Sequence, residues 1–251
     1  MTAGTEIVGA LAEENAEFSG HLSRLDDQDW QRPSRCEGWS VCDVVLHLAQ
    51  TNELSIASAD GRMEEAIAEL AGTGGGGSVD DGADFLVARQ RGQPASAVRD
   101  RWELSTEVLC RRLQETDPHQ RLQWVAGRVS ARTLSTTRLA ETWIHAGDVG
   151  AAFGWAPAAT DRLWHVARLA WRTLPYAFAR AGRDAPGATA FELRGPNGDL
   201  WSFTPDATAS TTVRGDAVEL CLVAAQRLRA EYTSLRVDGP DPVLELVRTY
   251  A

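Results

Sequence analysis

A glutamate, a histidine and an aspartate stand at 141, 145 and 148 in the run Glu141-Thr142-Trp143-Ile144-His145-Ala146-Gly147-Asp148. On a helix, positions i, i+4 and i+7 fall within about 60° of one another. The three side chains then share one face, with Arg138 at its edge. A carboxylate and an imidazole on adjacent turns can reach the same ion. A second histidine, His47, lies far earlier in the chain, and if it faced them across a bundle the set would be two histidines and one carboxylate. Three protein ligands with room left for water or substrate is the arrangement of catalytic zinc, whereas structural zinc is usually closed by four. The same set also occurs with non-haem iron. The plain alternative is a solvated helix side, because Leu139, Trp143, Ala146 and Gly150 make the opposite side apolar. Against that, Leu134, Ala140, Ile144, Val149, Ala151 and Ala152 crowd the polar stripe, as on a helix buried nearly all round, and buried charges are normally paired or metal-bound.

These residues need elements to carry them. The spacing of Val8, Leu11, Asn15, Phe18, Leu22 and Leu25 predicts a first bundle helix, whose one polar member, Asn15, either sits at a bundle end linked to water or points into an interior that offers a hydrogen-bond partner. Ser40-Val41-Cys42-Asp43 reads as a capping box that opens a second helix, whose apolar face is Val41, Val44, Val45 and Leu48. His47 borders that face. Gly72 to Ser78 reads as a mobile loop rather than a phosphate loop, since no Lys-Ser or Lys-Thr follows. Helical patterns return over Pro94 to Leu113 and Ala131 to Phe153, giving four helices. Beyond Pro157 the character changes. A helix over Asp161 to Ala181 precedes strands at Thr189 to Arg194 and Leu200 to Thr204 around the turn Gly195-Pro196-Asn197-Gly198-Asp199. A third strand over Thr208 to Arg214, a helix over Gly215 to Glu231, a strand over Ser234 to Val237 and a short helix over Pro242 to Tyr250 complete the reading. The class is α+β, with a helical bundle over roughly residues 1–155 and a smaller α+β domain over 156–251.

Composition narrows the function. With 25 basic against 35 acidic residues the net charge is −10, which disfavours nucleic acid and anionic membranes as partners. Every basic residue is arginine, so Schiff-base catalysis by lysine is excluded and an anionic substrate would have to be gripped by arginine. No apolar run approaches the roughly 18–20 residues of a membrane span, and Glu6, Glu13, Glu14 and Glu17 are unlike a signal peptide. A cytoplasmic location is expected. Cys36, Cys42, Cys110 and Cys221 form no Cys-x-x-Cys pair, which suits reduced thiols.

The segment Asp29-Trp30-x-x-Pro33 through Cys36-Glu37-Gly38-Trp39-Ser40-Val41-Cys42-Asp43-Val44-Val45-Leu46-His47-Leu48-Ala49 resembles the opening of actinobacterial mycothiol-dependent maleylpyruvate isomerase-like proteins, within the DinB-like metal-binding superfamily. The run Glu141 to Val149 looks like that family's second metal motif, and residues 190 to 250 look like its C-terminal domain. The resemblance implies a DinB-like four-helix bundle holding a divalent metal, usually zinc, at His47, Glu141 and His145, with the α+β domain covering the metal site. It also implies mycothiol as thiol cosubstrate, activated by the metal as a thiolate nucleophile for isomerisation or S-transfer on a small electrophilic metabolite. Asp148 is then expected to orient a ligand histidine or a substrate group. Arg227 best matches an arginine that reaches the site in the isomerases. The family pattern there is commonly Gly-Arg, whereas here it is Gln226-Arg227. Arg128, Arg138 and Trp124 are weaker pocket candidates and read more simply as surface ion-pair or packing residues.

Three functions remain open on the sequence. They are a zinc-dependent, thiol-using S-transferase or isomerase; a thiol-independent hydrolase using metal-bound water; and a non-enzymatic carrier with a structural metal. The departure at Gln226 places transfer ahead of isomerisation.

Overall fold

The computed structural model describes residues 7–71, 79–125 and 127–249. The expected loop from Gly72 to Ser78 lies outside them. The chain forms two compact units, Met1–Pro157 and Ala158–Ala251. In the first, α1 (Ile7–Leu22), α2 (Val41–Ala59), α3 (Met63–Ala71), α4 (Val79–Gln90) and α5 (Ala95–Glu115) precede a hairpin of β1 (Arg121–Trp124) and β2 (Gly127–Ser130), followed by α6 (Ala131–Gly150). In the second, the order is α7 (Leu163–Arg172), α8 (Leu174–Arg180), β3 (Thr189–Arg194), β4 (Leu200–Phe203), β5 (Thr211–Asp216), α9 (Ala217–Ala224), β6 (Arg236–Asp238) and α10 (Val243–Leu246). The class is α+β, as the sequence indicates. Among the described residues no helix is long and apolar enough to cross a membrane.

Helices α1, α2, α5 and α6 pack as a four-helix bundle. Its start signals are chemical. Ser40 in extended conformation accepts from the Asp43 amide at 3.2 Å while its own amide donates to Asp43 Oδ2 at 2.9 Å, so α2 opens on a complete capping box. Ser130 caps α6 by accepting from the Thr133 amide at 3.1 Å. Val41, Val44, Val45 and Leu48 are fully buried, and Phe18 meets Trp102 edge-on at 5.2 Å. At the far end of α6 the chain turns back tightly, because Gly150 accepts from the amides of Phe153 and Trp155, and a Cβ at 150 would collide with the Trp155 carbonyl.

The second unit is a four-stranded sheet of order β4-β3-β5-β6, with β3 and β5 parallel and the other pairs antiparallel. Three sequence expectations need correction here. The helix drawn over Asp161 to Ala181 is two helices, broken at Thr173, where the chain leaves the helical region just before Pro175 at the start of α8. The helix drawn over Gly215 to Glu231 stops at Ala224, because Gln226 takes a positive φ of 58°. Arg227 therefore lies beyond that helix and not on its face. Helices α3 and α4 and the β1–β2 hairpin were not anticipated.

Candidate metal centre

Helix α6 carries Glu141, His145 and Asp148 on one face, and α2 brings His47 opposite. The Nε2 atoms of His47 and His145 stand 3.5 and 3.6 Å from the same atom, Glu141 Oε2. The two rings lie 5.1 Å apart at 76°. One donor atom from each of the three side chains falls within 4.8 Å of the others. Spacings of 3.5 and 3.6 Å are long for charge-assisted hydrogen bonds, which close to about 2.7–2.9 Å. They match donors that each stand about 2.1 Å from one tetrahedral ion, whose edge is then about 3.4 Å. The chemistry of the set, two imidazoles and a carboxylate, suits a borderline divalent ion. The residues fit a metal.

Behind this trio lies a shell that fixes its orientation. His145 Nδ1 is 3.0 Å from Asp148 Oδ2, and Asp148 is completely buried. The loop before α2 closes on the same carboxylate. Cys36 Sγ donates to Asp148 Oδ2 at 3.2 Å and sits 3.8 Å from His145 Nδ1, while the Arg35 amide donates to the Asp148 carbonyl at 3.1 Å. That loop is shaped by Gly38 at φ 77°, a left-handed position that glycine adopts without strain, and by Ser34 Oγ donating to the Trp39 carbonyl at 2.9 Å. Trp39 then packs its ring 5.1 Å from His47.

Arg138 stands at the edge of the same face of α6 and is buried. It is 1% exposed, its Nε donates to Asn52 Oδ1 at 3.3 Å, and its Nη1 stands 4.0 Å from Glu141 Oε2. Its Nη2 is buried with no hydrogen-bond partner. Asn52 in turn donates to Ser105 Oγ at 3.3 Å and Thr106 Oγ1 at 3.1 Å, and Thr142 donates to Asn15 Oδ1 at 3.0 Å. A polar layer thus runs through all four bundle helices, and Asn15 belongs to it.

Burial disfavours the charged form of each group, and neighbours decide where it is overruled. At His47 burial wins and lowers the pKa, leaving the ring neutral. At His145 burial also pulls down, but Asp148, Cys36 and Glu141 outweigh it and hold the pKa well above the ordinary histidine value. At Glu141 burial pushes up, but His145, His47 and Arg138 outweigh it and keep the carboxyl well below its usual range. Arg138 is itself lowered by burial, with Glu141 opposing.

The structure therefore brings His47, Glu141 and His145 together, with Asp148 against His145. Arg227 belongs to the second unit, where its Nη1 donates to the Ala225 carbonyl at 3.0 Å. Arg128 and Trp124 are on the β1–β2 hairpin, Arg128 being exposed. Arg138, a weaker pocket candidate that the sequence left as a surface or packing residue, is inside the bundle beside Glu141. Cys36 went unnoticed as a site residue. It sits in a loop, where no periodicity points a side chain, and its only sequence signal is its place two residues before Gly38-Trp39.

The family model described as the mycothiol maleylpyruvate isomerase N-terminal domain matches residues 11–150. Over 239 residues the chain is 32% identical to the uncharacterized protein Rv0036c of Mycobacterium tuberculosis (strain ATCC 25618 / H37Rv), covering 93% of this chain and 90% of that one. The match to the uncharacterized protein MT0041 of Mycobacterium tuberculosis (strain CDC 1551 / Oshkosh) has the same values, 32% over 239 residues. The crystal structure of the mycothiol-dependent maleylpyruvate isomerase superposes with a TM-score of 0.61 at 19% identity, covering 94% of each chain, and so shares the fold.

Proposed function

The chain belongs to the family of the mycothiol maleylpyruvate isomerase N-terminal domain, and from that premise we propose that it is a metal-dependent enzyme using mycothiol, as S-transferase or isomerase, on a small electrophilic metabolite. The observation that carries the reading is the convergence of His47 Nε2 and His145 Nε2 on Glu141 Oε2 at 3.5 and 3.6 Å. A divalent ion bound there, with zinc as the first candidate, would act as a Lewis acid and make a coordinated thiol acidic enough to be nucleophilic at neutral pH.

The chain's own residues prepare that chemistry. Burial keeps His47 neutral, so its lone pair is available without first losing a proton. Asp148 accepts the Nδ1 proton of His145 at 3.0 Å, which turns Nε2 toward Glu141 and raises the basicity of the ring. Glu141 supplies the negative charge, which His145 and His47, with buried Arg138 behind them, keep ionised against the push of burial. Trp39 walls one side of His47. Asp148 is thus a positioning residue. Arg227 is proposed for substrate recognition on the family resemblance alone.

The test is metal content followed by thiol binding. Purified protein should carry close to one divalent ion per chain, and His47→Ala and His145→Ala should each lose most of it. Full retention in both would sink the ligand assignment. Calorimetry with mycothiol should give heat with the metal-loaded protein and none with the stripped one. Absence of heat with either points to metal-bound water as the nucleophile instead.

A further inference from the structure

We propose that Cys36, Asp148 and the Nδ1 atom of His145 form a second cation site, selective for a thiophilic divalent ion, that competes with the His47–Glu141–His145 trio for the imidazole they share. The three donor atoms surround one point, with Sγ to Oδ2 at 3.2 Å, Nδ1 to Oδ2 at 3.0 Å and Sγ to Nδ1 at 3.8 Å. All lie within 4.8 Å of one another. Donors about 2.1–2.3 Å from a tetrahedral ion stand about 3.4–3.8 Å apart, so small shifts convert the hydrogen-bonded triad into a ligand set. Sulfur distinguishes it from the first trio, which offers only nitrogen and oxygen. A thiolate selects soft ions such as Cd2+, and the trio of two imidazoles and a carboxylate does not.

The support for the site is already built. The Arg35 amide ties the loop to the Asp148 carbonyl at 3.1 Å, and Ser34 Oγ accepts from the Cys36 amide at 3.1 Å. Cys36 is half-buried and also lines an open cleft of about 570 Å³ with Trp39 and Arg91, which gives an ion an entry path. Binding frees the Cys36 S–H proton to solvent and takes the His145 Nδ1–H away from Asp148; the imidazole stays neutral by carrying its one proton on Nε2, taken up from solvent where zinc had held that nitrogen, and no electron is transferred. A neutral imidazole has one lone pair. With that pair committed at Nδ1, the remaining proton sits on Nε2 and faces Glu141, so the first trio loses a ligand.

The exclusivity rests on the reading of His145 as a ligand of the first trio, while the second site does not. Metal-stripped protein titrated with Cd2+ should develop a thiolate-to-cadmium charge-transfer band in the near ultraviolet, saturating at one equivalent. The band should vanish in Cys36→Ser and persist in His47→Ala. In zinc-loaded protein the band should grow in step with zinc released to a chromogenic chelator. Cadmium bound without the band, a band undiminished in Cys36→Ser, or a band lost in His47→Ala would each overturn the site. Should Cys36→Ser fail to fold, 113Cd NMR of the unmutated protein decides, because a sulfur ligand moves the resonance far downfield of an all-nitrogen-and-oxygen site. Failure of the first trio would show separately, as native metal retained in the double variant His47→Ala, Cys36→Ser, which removes a donor from each site.

Discussion

Inside the first unit Glu14, Asn15, Asp43, His47, Gln50, Asn52, Arg138 and Asp148 are all buried, whereas the buried polar side chains of the second, among the described residues, are His165, Thr189, Thr211 and Thr249. The second unit closes an ordinary apolar core, with Phe191, Leu193, Val213 and Leu220 fully buried. Burying a charge costs several kcal/mol unless partners compensate it. The first unit buries Glu14, Arg138 and Asp148 at 2% exposure or less, whereas the second buries no carboxylate or guanidinium among its described residues. The proposed metal centre lies in the unit that buries charge. That placement predicts that the stability of the first unit depends on metal and pH, and that of the second does not.

The largest effect should be the least specific. Phe191→Ala removes a fully buried ring from the sheet of the second unit and should cost about 3–5 kcal/mol. In chemical denaturation that loss should be the same with and without added metal; a metal-dependent loss would erase the contrast between the units.

Next is pH. A metal ligand must shed its proton, so each proton displaced changes affinity by about tenfold per pH unit. The His145 pKa is held well above its ordinary value by Asp148, Cys36 and Glu141 against the pull of burial. Proton competition there continues above pH ~6.5. The sign for the metal-free protein is opposite. A raised folded pKa contributes stability that is complete below the unfolded value and is lost as pH rises through the folded one. His47, lowered by burial, contributes its slope only below pH ~6.5. From pH 6.5 upward the melting temperature of stripped protein should therefore fall while the increment from zinc grows. Parallel curves would show that His145 holds no metal.

Asp148→Asn should weaken metal binding by about 10–100-fold, the usual cost of losing a carboxylate behind a ligand histidine. The fold should survive, because the amide oxygen still accepts the Nδ1 proton. Competition with a fluorescent chelator measures this directly, and an unchanged affinity would reduce Asp148 to a structural hydrogen bond. Ser40→Ala removes the cap of α2 and should cost about 1 kcal/mol. It leaves His47 two turns inside the helix, so metal affinity should stay nearly constant.

Much of this contrast is legible in the sequence, and what is missing has physical causes. The 3.6-residue period put His47 beside an apolar face and stacked Glu141 and His145 on one line. Both phases are local properties, and both survive folding. The burial of Arg138 is not local, since it follows from Asn52 and the hydroxyls of Ser105 and Thr106 arriving from two other helices. Cys36 is invisible for a related reason: a loop has no period, and only the closure of that loop on Asp148 aims the thiol. The helical pattern in the sequence continues past Ala224 and takes in Arg227, but one residue with positive φ ends the helix there.

That residue supplies the smallest prediction and a check on the resemblance. Gln226 stands where the family commonly has glycine. Its amide bonds the Val223 carbonyl at 2.9 Å and the Arg227 amide bonds Leu222 at 2.8 Å, the paired closure in which a left-handed residue ends a helix. A non-glycine residue there costs about 1–2 kcal/mol. Gln226 offsets part of it by donating from Nε2 to the carbonyls of Val223 at 3.1 Å and Val247 at 3.4 Å. Gln226→Ala keeps the strain and loses both bonds, so it should destabilise by about 1 kcal/mol. Gln226→Gly loses the bonds and the strain together, so it should fall within about 0.5 kcal/mol of the parent. If glycine restores what alanine removes, the departure from Gly-Arg is a change of means and not of backbone, and Arg227 leaves the turn in the direction the family pattern requires. If glycine is as damaging as alanine, the side-chain bonds carry the turn, and the substrate-binding role proposed for Arg227 loses its structural footing.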